Sequence, residues 1–455
     1  MSRTTFTHQS ASRDKHTYDI MGDLKVHVTV TENPFDLPLD ALFSMAARIN
    51  KKRAFLFVSK VLGKHLAVDP YVSLLSGSAL AVLLQRELNG PAPATELIIE
   101  GLRDRSQAKR AYLQLQANRL VPPRPLAFIG FAETATALGH SMYDAFAEGC
   151  RYVHTTRELI PELTSSISFE EEHSHATAHR CYAEHPVQAG ESIVLVDDEM
   201  TTGKTALNII RELHQKYPQA DYYVASLLDW RTAQDQARFD ELARELDISI
   251  KTLSLIKGEM VAEGGPILEA PRAKQSESLV KAQVEQIDLH GLFDVVPVSS
   301  LDAAGERNLA PYIGCTGRFA IESSANAEVD SRITAAAERL RSMRTGNKTL
   351  CLGTGEFMYL PMRIAAEMGE GVAYHSTTRS PIHPHQEPPY AIWEAHAYPS
   401  PDDPTIRHFL YNVTSHQYDD LFVFLERQVK PERLAPFVEL LGNLGIERVR
   451  LVFVS

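Results

Sequence analysis

The stretch from Ser192 to Ile210, SIVLVDDEMTTGKTALNII, limits the possible folds of this chain more than any other. It predicts a buried strand over 193–196 that ends at two adjacent carboxylates, Asp197 and Asp198, and a helix that begins near Ala206. Free backbone N–H groups at a helix start, threonine hydroxyls and a glycine suit a terminal phosphate. The two aspartates suit the hydroxyls of a sugar that carries this phosphate. The turn between them and the helix contains Thr201, Thr202, Gly203, Lys204 and Thr205.

The Gly-Lys-Thr of this turn does not make a Walker A motif. That motif needs a glycine five positions before Gly203, and this chain has Asp198 there. The sequence therefore predicts a sugar-phosphate turn, with an ordinary strand–turn–helix of an α/β fold as the alternative.

The order of these parts resembles the 5-phosphoribosyl-1-pyrophosphate (PRPP) motif of type I phosphoribosyltransferases. In that motif a hydrophobic strand leads into two acidic residues, and a T-T-G-G-T-like loop holds the 5-phosphate. Lys204 stands where the family usually has its second glycine. The resemblance implies that residues 201–205 bind the 5-phosphate. It also implies that Asp197 and Asp198 hold the ribose hydroxyls, stabilise developing positive charge and orient Mg²⁺ through water.

Composition excludes several classes of protein. The chain has 455 residues, 44% hydrophobic and 23% charged, which is typical of a globular protein with two or three domains. Its net charge of -12 argues against general nucleic-acid or membrane-surface binding. No apolar run is long enough to span a bilayer, and the N-terminus lacks the apolar core of a signal peptide. Four widely spaced cysteines then predict a cytoplasmic protein with reduced thiols.

Strand-like and helix-like segments alternate along the chain. This alternation predicts an α/β fold with a doubly wound parallel sheet, whose ligands bind at the carboxyl ends of the strands. We predict a first domain over 1–256, a connecting region over 257–305 and a second domain over 306–455. Residues 37–50, LPLDALFSMAARIN, are predicted to form a helix.

Two similar blocks, one in each half, indicate an internal repeat. They are IGFAETATALGHSMYDAFAEGCRYVHTTRELI and CLGTGEFMYLPMRIAAEMGEGVAYHSTTRSPI, and each has strand, Gly-x-x-Glu, helix, strand and Thr-Thr-Arg. A weaker match aligns the segment after Arg53 with the segment after Arg318. The second half has no counterpart of the Asp-Asp-x-x-Thr-Thr-Gly turn. We therefore predict a duplicated fold unit whose second copy does not bind PRPP.

A phosphoribosyltransferase-like unit followed by Thr-Arg-Ser-Pro at 378–381 resembles bacterial proteins that join a PRTase domain to a C-terminal TRSP domain. The segments RAFLFVSKVLGKH, AETATALGH and LGTGEFMY also resemble that family. The family is orotate-phosphoribosyltransferase-like in its core, is associated with tellurite-resistance-type stress gene clusters and is predicted to make a nucleoside-like metabolite. The resemblance implies a type I phosphoribosyltransferase fold with a second, degenerate PRTase-like α/β domain. It also implies Mg²⁺-dependent transfer from PRPP to a small-molecule acceptor such as a nitrogenous base. Related enzymes often form homodimers.

The resemblance further implies roles for two loops of the first domain. Arg157 ends a strand where a phosphate contact is expected. The loop FEEEHSHATAHR is expected to close over pyrophosphate, with His173 and His175 as catalytic donors. A metal site and a plain polar loop are the alternatives for this segment. The pyrophosphate loop would be Ala132, Glu133, Thr134, Ala135 and Thr136, unless this is only a strand–helix turn.

Further basic and polar residues are candidates outside these loops. Arg53, Lys60, Lys64 and His65 could form a hood over the base or a solvated basic face. The second half offers either an anion or sugar-phosphate site or a structural relic at Gly353, Thr354, Glu356, Thr378, Arg379 and Ser380. Two other functions compete with phosphoribosyl transfer. One is a regulatory protein that senses PRPP or a nucleotide, and the other is a metal-dependent hydrolase that uses the histidine cluster.

Overall fold

The computed structural model describes residues 14–49, 53–91, 95–170, 178–268 and 282–455. The predicted catalytic residues His173 and His175 lie outside this part of the chain. In chain order the strands are β1 (Asp14–Met21), β2 (Leu24–Glu32), β3 (Phe43–Ala47), β4 (Phe55–Ser59), β5 (Leu126–Gly130), β6 (Cys150–His154), β7 (Ile167–Glu170), β8 (Ala178–Cys181), β9 (Ser192–Val196), β10 (Glu199–Met200), β11 (Asp221–Asp229), β12 (Ser249–Glu263), β13 (Gln283–Asp288), β14 (Val295–Val296), β15 (Ser300–Leu301), β16 (Arg307–Asn308), β17 (Tyr312–Ile313), β18 (Ile321–Glu322), β19 (Thr349–Gly353), β20 (Val372–Ser376), β21 (Ala395–Pro399), β22 (Arg407–Tyr411), β23 (Asp420–Leu425) and β24 (Arg448–Phe453).

Helices cover the sheets, and none of those described is both long and apolar enough to cross a lipid bilayer. Short 3₁₀ turns occur at Arg105–Gln107, Gly314–Thr316 and Ser323–Ala325. The α-helices are α1 (Leu39–Leu42), α2 (Pro70–Glu87), α3 (Glu96–Arg103), α4 (Ala108–Ala117), α5 (Ala135–Asp144), α6 (Lys204–Lys216), α7 (Ala233–Leu246), α8 (Asn326–Arg341), α9 (Tyr359–Glu367) and α10 (Pro431–Gly442).

The first sheet has the strand order β1-β2-β12-β11-β9-β5-β6-β18, with β10 paired to β11. Its five central strands, β12 to β6 in that order, are parallel, whereas β1, β2 and β18 add antiparallel edges. Strands β5, β6 and β9 are buried along their whole length. Such continuous burial is typical of parallel strands with both faces covered, so the predicted α/β fold is confirmed.

The second sheet repeats this arrangement. It is parallel throughout, with the order β13-β24-β23-β19-β20. Strands β24, β23, β19 and β20 occupy the positions that β11, β9, β5 and β6 have in the first sheet. Strand β13 takes the position next to β24 that β12 has next to β11, although β13 is an edge strand and precedes the other four strands in the chain. The structure thus contains the duplicated α/β unit that the sequence repeat predicts.

Two sequence expectations differ from the structure. Within the predicted helix over 37–50, only Leu39–Leu42 is helical, and Phe43–Ala47 forms β3 instead. This segment pairs antiparallel with β4 and buries Phe43, so tertiary pairing overrides its helical pattern. The predicted connecting region 257–305 contributes to both sheets, because β12 runs to Glu263 and β13 lies at 283–288.

Candidate functional site

The predicted phosphate turn lies at the carboxyl end of β9, at the start of α6. Asp197, Asp198 and the turn residues are half-buried, and Gly203 caps the helix with a left-handed φ of 70°. A small cavity of about 60 Å³ opens here. It is lined by Asp197, Glu199, Met200, Thr201, Thr202, Gly203, Lys204, Thr205, Ala206 and Val224. The helix start, the hydroxyls and one of the two aspartates therefore surround one small space, where the N–H groups and the hydroxyls can donate to an anion.

Local hydrogen bonds fix the shape of this turn. The Asp198 backbone N–H donates to Asp197 Oδ1 at 2.9 Å, and the Lys204 N–H lies 3.4 Å from Thr202 Oγ1. The Phe131 N–H, which begins the neighbouring loop after β5, donates to the Val196 carbonyl at 3.1 Å. The predicted phosphate turn and the predicted pyrophosphate loop therefore lie at the ends of two adjacent strands.

Gly203→Ala is expected to destabilise the turn and weaken phosphate binding. A Cβ atom at this position would lie 2.6 Å from the Phe239 ring and 2.9 Å from Arg231 Cδ, in addition to the strain of a φ of 70°. The expected loss in the free energy of unfolding is about 1–3 kcal/mol by thermal or urea denaturation. Gly190→Ala is the matched control, because Gly190 has a φ of 82° and no atom within 4 Å of the added Cβ. Equal losses in the two variants would show that the close packing at Gly203 contributes nothing.

The residues predicted to form the pyrophosphate loop, 132–136, are all buried. Lys64 Nζ donates to Thr134 Oγ1. The Thr136 hydroxyl lies within hydrogen-bond distance of two carbonyls, those of Glu133 at 2.9 Å and Glu356 at 3.1 Å. The loop is thus held between the first unit's own N-terminal region and the second unit.

Glu133, which belongs to the predicted pyrophosphate loop, binds the second unit. Its Oε2 accepts hydrogen bonds from the Thr378 hydroxyl at 3.3 Å and from the Arg379 backbone N–H at 3.4 Å. Burial by itself would raise the pKa of Glu133. The positive charges of Lys64, Arg157 and Arg379 outweigh this effect and lower it. Glu133 is therefore a buried carboxylate anion at the interface of the two units.

Glu356 makes the reciprocal contact from the second unit to the first. Its two carboxylate oxygens accept from the Thr156 hydroxyl at 2.6 Å and from the Arg157 backbone N–H at 2.8 Å. Each Gly-x-x-Glu segment thus binds the Thr-Thr-Arg segment of the other repeat. The two units associate about a pseudo-twofold relation, as two copies of one chain would in a symmetric dimer.

The local geometry of the two repeats agrees in further detail. The hydroxyl of Thr155 accepts from the Ala132 N–H at 2.9 Å, and that of Thr377 accepts from the Gly355 N–H at 3.1 Å. Ala132 directly precedes Glu133 and Gly355 directly precedes Glu356, the two glutamates that bind the other unit. The sequence repeat revealed the Gly-x-x-Glu and Thr-Thr-Arg segments, but it did not reveal that they bind each other across the interface.

Arg318 lies buried at the centre of this interface, and the sequence patterns indicate no role for it beyond the weak match to Arg53. Its Nη1 donates to Thr156 Oγ1 at 2.6 Å and to Glu356 Oε2 at 3.1 Å. Its Nη2 donates to Glu426 Oε2 at 2.9 Å and lies 3.7 Å from Glu158. One guanidinium therefore neutralises carboxylates from both units.

Glu426 occupies the place in the second unit that Asp198 has in the first. In the first sheet Leu195 of β9 pairs with Ile129 of β5, and Asp198 comes three residues after Leu195. In the second sheet Val423 of β23 pairs with Leu352 of β19, and Glu426 comes three residues after Val423. Because Arg318 binds Glu426, the acidic position of the second unit already holds a cation. This agrees with a second unit that retains the fold without the PRPP turn.

The ion pair at Glu356 is expected to make folding sensitive to acid. Burial would raise the pKa of Glu356, but Arg318 and the hydrogen bonds from Thr156 and the Arg157 N–H bring it from 4.5 down to about 2. A lowered pKa stabilises the fold above pH 4.5, and this stabilisation is lost as pH falls from 4.5 towards 2. Glu356→Gln should therefore lose on the order of 2 kcal/mol near pH 7 and show a shallower decline in stability below pH 4.5.

Urea denaturation of Glu356→Gln between pH 3 and 7 measures this effect. Glu439→Gln on the exposed face of α10 serves as the control. Parallel stability curves for the wild type and Glu356→Gln would contradict the buried ion pair.

The predicted hood residues separate into two groups. Arg53 forms a 2.6 Å ion pair with Glu199 and lies over the Phe55 ring, and Lys64 reaches the loop at Thr134. In contrast, Lys60 Nζ donates to the carbonyl of Asp40 at 2.8 Å, and His65 is buried, which lowers its pKa well below 6.5. Only Arg53 and Lys64 therefore contact the ends of β5 and β9.

The residues predicted for a second site lie in the second unit, at its interface with the first. Thr354, Glu356 and Arg379 line a larger cavity between the units, together with Arg157. Gly353 is the last residue of β19, next to Thr354, and Thr378 and Ser380 flank Arg379. In the described residues no group of three or more His, Cys, Asp or Glu side chains could hold a metal ion. The alternative of a metal-dependent hydrolase therefore depends on residues outside that part of the chain.

Comparison with solved structures finds adenine phosphoribosyltransferases. The enzyme of Trypanosoma brucei, in complex with AMP, pyrophosphate and ribose-5-phosphate, is 11% identical, with 50% of this chain and 82% of that chain covered and a TM-score of 0.30. The enzyme of Leishmania tarentolae is 15% identical, with coverage of 50% and 90% and a TM-score of 0.29. That of Thermoanaerobacter pseudethanolicus is 20% identical, with coverage of 35% and 86% and a TM-score of 0.23. No curated protein matches the chain.

Comparison with protein families identifies both units. Residues 42–259 match the model described as phosphoribosyl transferase, and these contain the phosphate turn, the loop after β5 and the first Thr-Thr-Arg. Residues 315–441 match the model described as TRSP domain C terminus to PRTase_2, and these contain Arg318 and Glu356. The chain therefore combines a domain of the phosphoribosyl transferase family, at 42–259, with a TRSP domain that follows it at 315–441.

Proposed function

We propose that this protein transfers the phosphoribosyl group of PRPP to a nitrogenous base or a similar small acceptor, with Mg²⁺ and with release of pyrophosphate. The observation that carries the proposal is the half-buried turn at 197–205, where two aspartates precede a left-handed glycine and a helix N-terminus. The turn lies inside the segment that matches the phosphoribosyl transferase family.

In the proposed reaction a bond forms between the nucleophilic atom of the acceptor and the anomeric carbon of ribose. The bond from that carbon to the pyrophosphate oxygen breaks, and the acceptor loses a proton. Asp197 and Asp198 bind the ribose hydroxyls and stabilise the positive charge that develops on the sugar. Residues 201–205 anchor the 5-phosphate, so that the anomeric carbon is held in place for attack.

A Mg²⁺ ion would supply positive charge to the leaving pyrophosphate. Mg²⁺ keeps several waters and needs only one or two protein carboxylates, and the half-buried pair Asp197 and Asp198 fits this donor set. We therefore propose that these two side chains orient the ion together with PRPP.

The acceptor would bind beside the N-terminal strands. Arg53 lies 4.7 Å from the Phe55 ring and 5.6 Å from the Phe57 ring, and it reaches the turn through Glu199. Trp230 stacks on Phe57 at 4.9 Å. These rings are buried and pack on one another, so the acceptor would meet the partly exposed guanidinium of Arg53. The product would be a nucleoside-like metabolite made in the cytoplasm by a protein that can form a homodimer.

A second candidate function is sensing of PRPP or a nucleotide without catalysis. The burial of the loop at 132–136 and the binding of Glu133 to the second unit favour it. A buried loop presents fewer groups to a leaving pyrophosphate than an open one does.

Pyrophosphate release from PRPP and Mg²⁺, measured with and without a panel of purines, pyrimidines and simple aromatic bases, distinguishes the two functions. Release that depends on one acceptor would support transfer and identify the acceptor class. PRPP binding by calorimetry without release for any acceptor would favour the sensor. A result with no PRPP binding and no pyrophosphate release would contradict both functions.

A further inference from the structure

A cavity of about 310 Å³ lies between the two units, apart from the phosphate turn. Arg157 and Arg180 of the first unit line it, as do Arg379, His408 and Arg427 of the second. Among the described residues that line it, none belongs to the phosphate turn at 197–205 or to the loop at 132–136. The cavity therefore needs both units and does not include the phosphate turn, although it includes Arg157, for which the sequence predicts a phosphate contact.

The pseudo-twofold relation brings equivalent arginines to the same cavity. Arg157 and Arg379 end the two Thr-Thr-Arg segments, and their backbone N–H groups are held by Glu356 and Glu133. Both positive charges act on the buried His408. The Arg379 guanidinium forms no hydrogen bond or ion pair with any described residue. The interface thus positions two guanidinium-bearing residues, and no described residue accepts a hydrogen bond from the guanidinium of Arg379.

His408 supplies a buried polar atom that lacks a partner. It is 5% exposed, and its Nε2 makes no hydrogen bond with the described residues. Burial lowers its pKa to about 4, which keeps the ring neutral at pH 7. A buried polar atom without a partner is costly, and a ligand that bonds to it offsets this cost.

The wall of the cavity also contains carboxylates that suit hydroxyl groups. Asp402 lines the cavity with a side chain that is 46% exposed, and it lies 3.5 Å from Arg427. Glu158 lies on the same wall, where Arg427 holds it at 3.0 Å. Guanidinium groups bind phosphate oxygens in a fork geometry, and carboxylates accept hydrogen bonds from sugar hydroxyls. The volume is within the range of small-molecule sites.

We propose that this cavity binds a small phosphorylated sugar or polyol. Its phosphate would lie between Arg157 and Arg379, and its hydroxyls would face Asp402, Glu158 and His408. The site shares Arg157 with the residues predicted for phosphoribosyl transfer, but it requires neither PRPP nor the turn at 197–205.

Calorimetric titration of the full chain with ribose 5-phosphate tests the proposal. Because the phosphate turn could bind the same probe, the titration uses a background in which Thr202→Ala and Thr205→Ala impair that turn. Binding of one equivalent should persist in this background, and ribose 5-phosphate should bind more tightly than inorganic phosphate. Adding Arg379→Gln should weaken binding about tenfold or more, since a charge-assisted hydrogen bond contributes that much.

Arg407→Gln is the matched control, because Arg407 is exposed on the hairpin that carries His408. It should leave the affinity unchanged. Three outcomes would overturn the proposal. The first is that the Thr202→Ala/Thr205→Ala variant no longer binds ribose 5-phosphate, and the second is that Arg379→Gln leaves the affinity unchanged. The third is that phosphate and ribose 5-phosphate bind with equal affinity. If Arg379→Gln does not fold, the half-exposed Asp402→Asn carries the test, with weaker ribose 5-phosphate binding and unchanged phosphate binding as the expected result.

Discussion

The Asp197→Asn/Asp198→Asn variant is expected to release pyrophosphate at least about 100-fold more slowly than the wild type. The two carboxylates are half-buried at the end of β9, beside the phosphate turn. An amide retains the size of the side chain and some hydrogen bonding to ribose. It cannot offer the negative charge that stabilises a cationic sugar as pyrophosphate departs. The rate constant should therefore fall much more than the affinity for PRPP.

Steady-state kinetics with the acceptor found by the base panel, together with calorimetric PRPP binding, separates these two quantities. Asp240→Asn is the control, because Asp240 is an exposed aspartate on α7. The melting temperature of the double variant should stay close to that of the wild type, since both side chains are at a partly solvated strand end. Full activity in the double variant would refute the mechanism. A large loss of stability would show that the carboxylates are structural.

The conformation of the turn at 197–205 was predictable because all of its parts are local. An apolar run, two aspartates, Gly203 and the following helix lie within twenty residues, and short-range rules predict each of them. The structure has the helix start at Lys204 and the left-handed φ at Gly203. The α/β class was predictable for a similar reason, because buried parallel strands have continuous apolar sequences.

The interface was not predictable from local patterns. Glu133 and Glu356 were both visible in the repeat, but their partners in the Thr-Thr-Arg segments lie 199 to 246 residues away. No local pattern in a single sequence indicates that Glu356 and Thr156 are in contact. The prediction of a helix over 37–50 was wrong for the same reason, since pairing with β4 makes Phe43–Ala47 a strand despite its helical pattern. The roles of His173 and His175 stay predictions, because both lie outside the described residues.

Arg318→Met is expected to lower the free energy of unfolding by about 3–5 kcal/mol, because it leaves buried carboxylates without their cation. Arg318 is 1% exposed and donates to Glu356 and Glu426 at 3.1 and 2.9 Å. Methionine fills a similar volume, so the loss would report charge rather than a cavity. Since these carboxylates belong to the interface, the two units should separate or unfold together at a lower urea concentration.

The control for this variant is Arg332→Met, because Arg332 pairs with Asp294 and Glu328 on a partly exposed helix face. Such surface pairs contribute little, so its urea midpoint should stay near that of the wild type. Adding Glu356→Gln and Glu426→Gln to Arg318→Met removes the stranded charges and should recover part of the lost stability. A midpoint for Arg318→Met equal to that of Arg332→Met would mean that water or local rearrangement neutralises the carboxylates. In that case the association of the two units would depend on the apolar packing of the interface instead of its central ion pairs.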